Sequence, residues 1–351
     1  MTTSQPPDFH LNRPSSLIAA LPAVLGFVPE KSLVLVTVDR GEMGCVMRVD
    51  LSPELAASLD HIADVAASAR PDSAIAVVID AEGAACRMCN DDYRELAAAL
   101  TTSLAQRGIE LFAAHVVDRV AAGGRWHCAD GCGNGGVVDD PSASPLALAA
   151  VVGGRRLYGC RAELQEVIGV SDSARSAELE SVIREQAAER RAAERADPEA
   201  RSDVEDAMAA AARVADGGGL TDAELARLAC ALTDPRVRDT LYALAVGEDA
   251  ARAESLWAML ARTLPEPWRV EALVLLAFSA YARGDGPLSG VSLEAALRCD
   301  PTHRMAGMLD TALQSGMRPE QIRELAVTGY RLADRLGVRL PPRRSFGRRA
   351  G

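Results

Sequence analysis

The chain has 351 residues, enough for two cores of ordinary domain size rather than one. A formal net charge of -11 at pH 7 excludes a general nucleic-acid binder, because phosphate contacts need a positive surface. Aromatic residues make up only 4% of the chain, so Leu, Val and Ala must fill the interior, which favours helices and close packing.

Residues 1–12 are polar and Pro-rich and read as a disordered leader, without the positive segment and apolar run of a signal peptide. The longest apolar passage, 17–28, is broken by Pro22 and Gly26 and falls short of the roughly 20 residues that span a bilayer. A cytoplasmic protein with no membrane partner is expected. Eight cysteines in a chain of this length are no disulfide scaffold; in a reducing compartment they are free thiols, metal ligands or redox groups.

Residues 15–25 predict an apolar helix, stopped at Gly26 and Pro29, and 32–38 a β-branched strand that turns through Asp39, Arg40 and Gly41 into a second strand ending near Asp50. Ser52, Pro53 and Glu54 open a helix over 53–69, with Leu55, Leu59, Ile62 and Val65 on one face. A near-continuous apolar strand follows at 74–80, then a helix over 91–107 marked by Tyr93, Leu96, Leu100 and Leu104. A strand at 110–118, a short segment at 124–127 and a helix at 146–152 complete an α/β domain with a mixed sheet over 13–170.

Several stretches resemble a known family. They are S-L-I-A-A-L-P at 16–22, L-G-F-x-P-E-x-S-L-V at 25–34 and R-V-D-L at 48–51, with Gly124, Arg125, Trp126, Cys128, Cys132, Ser144, Pro145, Gly154 and Arg155 further on. Together they are similar to the actinobacterial family catalogued as domain of unknown function 4192. That resemblance implies no established activity.

Beyond residue 170 the composition changes. Residues 171–219, with E-Q-A-A-E-R-R-A-A-E-R-A-D at their centre, read as a charged helical linker, since they lack a large apolar face. Thr221 and Glu224 form a capping box ahead of Leu225, Leu228 and Leu232. Asp234-Pro235, Glu266-Pro267 and Asp300-Pro301 then recur at spacings of 32 and 34 residues, the period of tetratricopeptide-type helical hairpins, so 220–338 is expected to be an all-α, tetratricopeptide-like domain. Residues 317–336 predict its terminal helix. The tail 339–351 reads as disordered and basic, with Arg343, Arg344, Arg348 and Arg349 as a tether for an acidic partner.

For chemistry, Cys86-x-x-Cys89 and Cys128-x-x-x-Cys132 could together hold a tetrahedral metal, serve as a redox pair or remain unligated thiols. Cys45, Cys160, Cys230 and Cys299 read as small apolar residues. Gly131, Gly133 and Gly136 spell G-x-G-x-x-G, but no strand-to-helix context surrounds them, which rejects a dinucleotide site. Asp91-Asp92 read as a helix cap and Asp139-Asp140 as a turn, while Asp80 with His127 is an acid–base or metal candidate. The other histidines stand isolated along the chain. Trp126 either packs beneath its loop or lines a pocket.

These readings favour a non-catalytic interaction protein whose helical domain holds a protein partner, with no cofactor. One alternative is a small-molecule-binding domain or enzyme sited at the 123–145 loop, through Asp80, Arg125, Trp126 and His127. The other is a zinc or redox sensor through Cys86, Cys89, Cys128 and Cys132.

Overall fold

The computed structural model describes residues 13–68, 70–152, 155–192 and 196–344. The expected leader, Gly154, Arg348 and Arg349 lie outside the described residues. The chain divides into two compact units, Met1–Glu163 and Leu164–Gly351.

In the first unit, α1 (Pro14–Leu25) places Pro14 where a missing N–H costs nothing and ends at Gly26, whose left-handed φ of 76° lets its N–H close on the Pro22 carbonyl. Leu17, Ile18 and Leu21 are fully buried. The hairpin of β1 (Ser32–Asp39) and β2 (Glu42–Asp50) turns through Arg40 and Gly41, both at positive φ as a two-residue hairpin requires. Then come α2 (Leu55–Ala67), β3 (Ser73–Ile79), α3 (Arg87–Ala105) and β4 (Glu110–Val117). The short strands β5 (Arg125–Cys128) and β6 (Gly135–Val137) precede α4 (Pro145–Val152) and α5 (Arg161–Glu166).

The six strands form one mixed sheet in the order β2-β1-β3-β4-β5-β6, antiparallel except for the β3–β4 pair, whose crossover is α3. Because side chains alternate along a strand, Leu33 and Leu35 share one face with Ala74, Ala76 and Val78, and that face packs with Leu55, Leu59, Leu100 and Leu104 of α2 and α3. The even-numbered Val34 and Val36 point the other way and are also fully buried. A near-continuous apolar strand is therefore what β1 and β3 require.

Two boundaries differ from expectation. Helix α3 begins at Arg87, four residues before the anticipated start, so Cys86 is its N-cap residue and Cys89 lies in its first turn. Asp91, expected as the cap, instead pairs with Arg94 one turn on, at 2.7 Å. Strand β6 was not anticipated, because Gly135, Gly136 and Val137 carry no alternation; pairing with β5 alone makes them a strand.

The second unit is all-helical: α6 (Ser173–Ala192), α7 (Asp197–Ala215), α8 (Asp222–Leu232), α9 (Pro235–Leu241), α10 (Ala250–Thr263), α11 (Arg269–Arg283), α12 (Gly286–Cys299), α13 (Arg304–Gln314) and α14 (Pro319–Leu336). Every residue of α11 from Ala272 to Ala282 is buried, as suits a helix apolar on all sides. It packs against α10, α12, α13 and α14. The prolines at 235, 267 and 301 precede or open α9, α11 and α13. Helix α14 returns to α9 and to the 3-10 segment Tyr242–Val246. That approach needs Gly329, where a Cβ would lie 2.9 Å from both the Ala243 Cβ and the Thr240 carbonyl.

The stretch read as a solvated linker is corrected by its burial. Leu179 and Ile183 of α6 are fully covered and α6 packs on α8, while α7 buries Ala200, Val204, Ala207 and Ala211 and packs on α10. Arg190 grips Asp203 through two bonds of 2.9 and 3.0 Å, so charges that look solvated in sequence are paired between α6 and α7. The first residues of the expected tail are likewise held: the Glu248 amide donates to the Pro342 carbonyl, the Arg344 amide to Val246, and the Tyr330 hydroxyl to Pro341. No helix among the described residues is long and apolar enough to cross a membrane.

Candidate functional site

A tight connection between β4 and β5 sets the register that builds the site. His115 stands opposite Cys128, Val116 opposite His127 and Val117 opposite Trp126. Opposed residues share a face, so His115, Trp126 and Cys128 project together and His127 projects the other way. The Trp126 and His115 rings meet edge to face, with centroids 5.2 Å apart and planes at 74°. Glycines on β6 admit the indole and its strand: a Cβ at Gly136 would sit 3.1 Å from Trp126 Nε1, and one at Gly135 only 2.7 Å from the Trp126 carbonyl oxygen.

His127 ties β5 to the turn after β3. Its Nδ1 lies 3.1 Å from the Cys128 carbonyl and its Nε2 3.1 Å from the Ala84 carbonyl. Asp80, expected as its partner, instead accepts a 2.6 Å hydrogen bond from the Tyr93 hydroxyl and a 3.1 Å bond from the Glu82 amide. Burial by itself raises the Asp80 carboxyl, but these donors and the Gly83 amide outweigh it and hold it below the ordinary carboxylate range.

Between the start of α3 and the β5–β6 hairpin runs an open cleft of about 790 Å³, lined by Asn90, Arg94, Asp118, Arg125, Trp126, His127 and Cys128 and by the backbone of Gly131 to Val137. Asp118 Oδ1 accepts the Arg125 amide at 2.8 Å and fixes the start of β5. Among the described residues the Arg125 guanidinium makes no ion pair. Asn90 Nδ2 donates to the Ala84 and Cys86 carbonyls at 3.0 and 2.9 Å, which leaves its buried Oδ1 without a hydrogen-bond partner. A smaller hollow of about 230 Å³ in the second unit is lined by Asp203, Arg213 and Glu224, whose charges are already paired, so it offers less to a ligand.

The sulfurs fall into two pairs rather than one cluster. Cys86 and Cys89 stand together at the head of α3, where the nearby Cys89 and Met88 amides and the Cys89 thiol hold the Cys86 thiol below its usual value. Cys128 and Cys132 form the second pair, and their sulfurs and a carboxylate oxygen of Asp130 all lie within 4.8 Å of one another. Burial, then the Cys132 thiol and the Asp130 charge, push the Cys128 thiol up to about 11. The four sulfurs do not share a point: Cys86 and Cys89 belong to no such group among the described residues.

Residue type alone does not single out His115, whose Nδ1 is 3.9 Å from Cys128 Sγ and whose burial pushes it down to about 4 against the pull of Asp130. A usable signal existed: a short turn after residue 118 pairs positions whose numbers sum to 243, which sets 115 against 128. Asn90, Arg94 and Asp130 were missed because the extended α3 and the hairpin loop deliver them.

The family model described as Domain of unknown function (DUF4192) matches residues 14–320. The chain belongs to the DUF4192 family. The DUF4192 match opens with α1, passes through the whole sheet and cleft, and ends in the first turn of α14, so it takes in both units. No curated protein and no solved structure matches the chain.

Proposed function

We propose that this DUF4192 protein is a non-catalytic binding protein whose α/β unit takes a small anionic molecule in the β5–β6 cleft. The observation that carries the reading is the unpaired Arg125 cation in the same cleft as the orphaned Asn90 Oδ1. An anion that also bears an N–H or O–H group would answer both, and the cleft volume lies within the range of small-molecule sites. Trp126 supplies a flat apolar wall. The test is a thermal-shift screen of the full chain against phosphate- and carboxylate-bearing metabolites. A true ligand raises the melting temperature of the wild type and loses that effect in Arg125→Gln and Asn90→Leu. If no anion stabilises the protein, or if the gain survives both substitutions, the reading fails.

A protein partner for the helical unit is a second reading, supported by the exposed Met308, Met317 and Leu325 on and between α13 and α14. The tetratricopeptide-like pairing of α11 with α12 supports it too. Met308→Glu with Leu325→Glu would abolish a stoichiometric complex isolated with the wild type. A cytoplasmic setting belongs to the same proposal, supported by eight cysteines that form no disulfide.

A further inference from the structure

We propose that Cys128, Asp130, Cys132 and His115 form a structural zinc site that clamps the β5–β6 loop onto β4. The site adjoins the cleft, which Cys128 also lines, and needs no ligand there.

The donor set is that of zinc: two thiolates, one imidazole and one carboxylate. With Zn–S bonds of about 2.3 Å, two sulfurs across a tetrahedral ion stand about 3.8 Å apart, and a sulfur and an imidazole nitrogen about 3.6 Å. The 3.9 Å between Cys128 Sγ and His115 Nδ1 is already close to the second value. Cys132 and Asp130 are exposed loop residues whose ligand atoms lie within 4.8 Å of Cys128 Sγ, and closing them onto an ion shared with His115 is a movement the loop carries more easily than the sheet. His115 and Cys128 are fixed by strand register; the loop supplies the movable half.

The surroundings suit the ion. Asp130 Oδ1 accepts the Cys132 amide at 2.9 Å, which folds the loop so that residues 128, 130 and 132 converge on one side. Gly131 and Gly133 stand at φ 76° and 83°, the left-handed backbone that such a tight loop needs. Two thiolates beside a carboxylate repel one another unless a cation sits among them. The imidazole of His115 is buried, and burial favours the neutral ring that ligates a metal. Four protein ligands leave no open position, so the site is structural rather than catalytic.

Loading converts two S–H groups to zinc thiolates and releases their two protons to solvent, with no change of oxidation state. The test uses the reduced full-length chain titrated with cobalt(II) and then zinc(II). One equivalent of cobalt should give a thiolate charge-transfer band with strong tetrahedral d–d absorption and release about two protons per chain at neutral pH, zinc should then displace the cobalt without further proton release, and the melting temperature should rise. Cys132→Ser, at an exposed position, should abolish the thiolate band while leaving the unloaded melting temperature unchanged. His115→Gln should weaken zinc binding at least tenfold. Cys86→Ser with Cys89→Ser should leave the titration intact. Absence of a thiolate band, a band that survives Cys132→Ser, or one lost in the Cys86/Cys89 double variant overturns the proposal.

Discussion

The Tyr93 hydroxyl donates a 2.6 Å hydrogen bond to Asp80 Oδ2 and so fastens the first turns of α3 to the end of β3. Tyr93 is 9% exposed, and the bond passes over Gly83, where a Cβ would fall 2.1 Å from the hydroxyl oxygen. Tyr93→Phe should cost about 1.5–3 kcal/mol in urea unfolding, the usual worth of a bond to a charged acceptor. The depressed Asp80 carboxyl stabilises the fold above the unfolded-state value of about 3.9, and that contribution disappears as pH falls through the lower folded value. Removing the Tyr93 donor should therefore flatten the loss of stability below pH 4. An unchanged acid profile would show that the backbone amides alone hold Asp80.

Gly135 and Gly136 should tolerate alanine unequally. At Gly135 the new Cβ meets the Trp126 backbone carbonyl at 2.7 Å, which cannot move without opening the β5–β6 pairing. At Gly136 it meets the indole at 3.1 to 3.3 Å, and a side chain can tilt. Gly135→Ala should lose about 1–3 kcal/mol as overpacking does, and Gly136→Ala less, with a change in tryptophan fluorescence accompanying either. Equal losses would mean that β6 is not held by this contact.

The residues read correctly from sequence share one property: their signal is local. The apolar run of β3, the Arg40-Gly41 turn and the Thr221–Glu224 capping box each need only a few neighbouring positions, and each is present. The α7 burial was illegible because it is built from alanines whose coverage depends on α10, and the Arg190–Asp203 pair looks like any solvated charge until the two helices meet. At the site, Trp126, His127 and Cys128 stood out as residue types in a Gly-rich loop. His115 did not, since its significance comes from strand register, and the N-terminal turn of α3 was hidden because Cys86 is not a usual cap.

Cys86 should be the thiol alkylated most persistently as pH is lowered. Its position at the N-terminus of α3, near the amides of Cys89 and Met88, favours the thiolate, whereas the neighbouring Cys86 thiol shifts Cys89 upward. Mass-spectrometric mapping after brief iodoacetamide treatment across pH 6 to 9 should show Cys86 modified at the acidic end ahead of Cys89 and Cys128. Reaction of Cys89 ahead of Cys86 would reverse the assignment.

Glu224 is held down to about 2 by the Thr221 amide, the Arg213 guanidinium and the Thr221 hydroxyl. A carboxylate whose folded value is depressed contributes stability above its unfolded value of about 4.3 and loses it as pH falls toward 2. Glu224→Gln should lower the melting temperature at neutral pH and bring the two proteins together in that acidic window. Parallel curves down to pH 2 would remove the carboxylate from the stability of α8.

Arg190 and Asp203 decide whether α6 and α7 belong to the helical unit or merely precede it. Asp203 is 8% exposed, and its two oxygens receive both terminal nitrogens of Arg190. Deleting the guanidinium strips both of these bonds from a carboxylate at a covered position, a loss on the order of 3 kcal/mol for a buried pair and less here, because Arg190 keeps some contact with water. Asp203→Asn with Arg190→Met removes both charges and should recover much of that stability, since desolvation no longer has to be offset. In a freely solvated linker neither single nor double substitution would shift the unfolding midpoint, because exposed pairs contribute little. A loss in Arg190→Ala with recovery in the double variant, both read from one cooperative transition of the full chain, places the charged stretch inside the folded helical core.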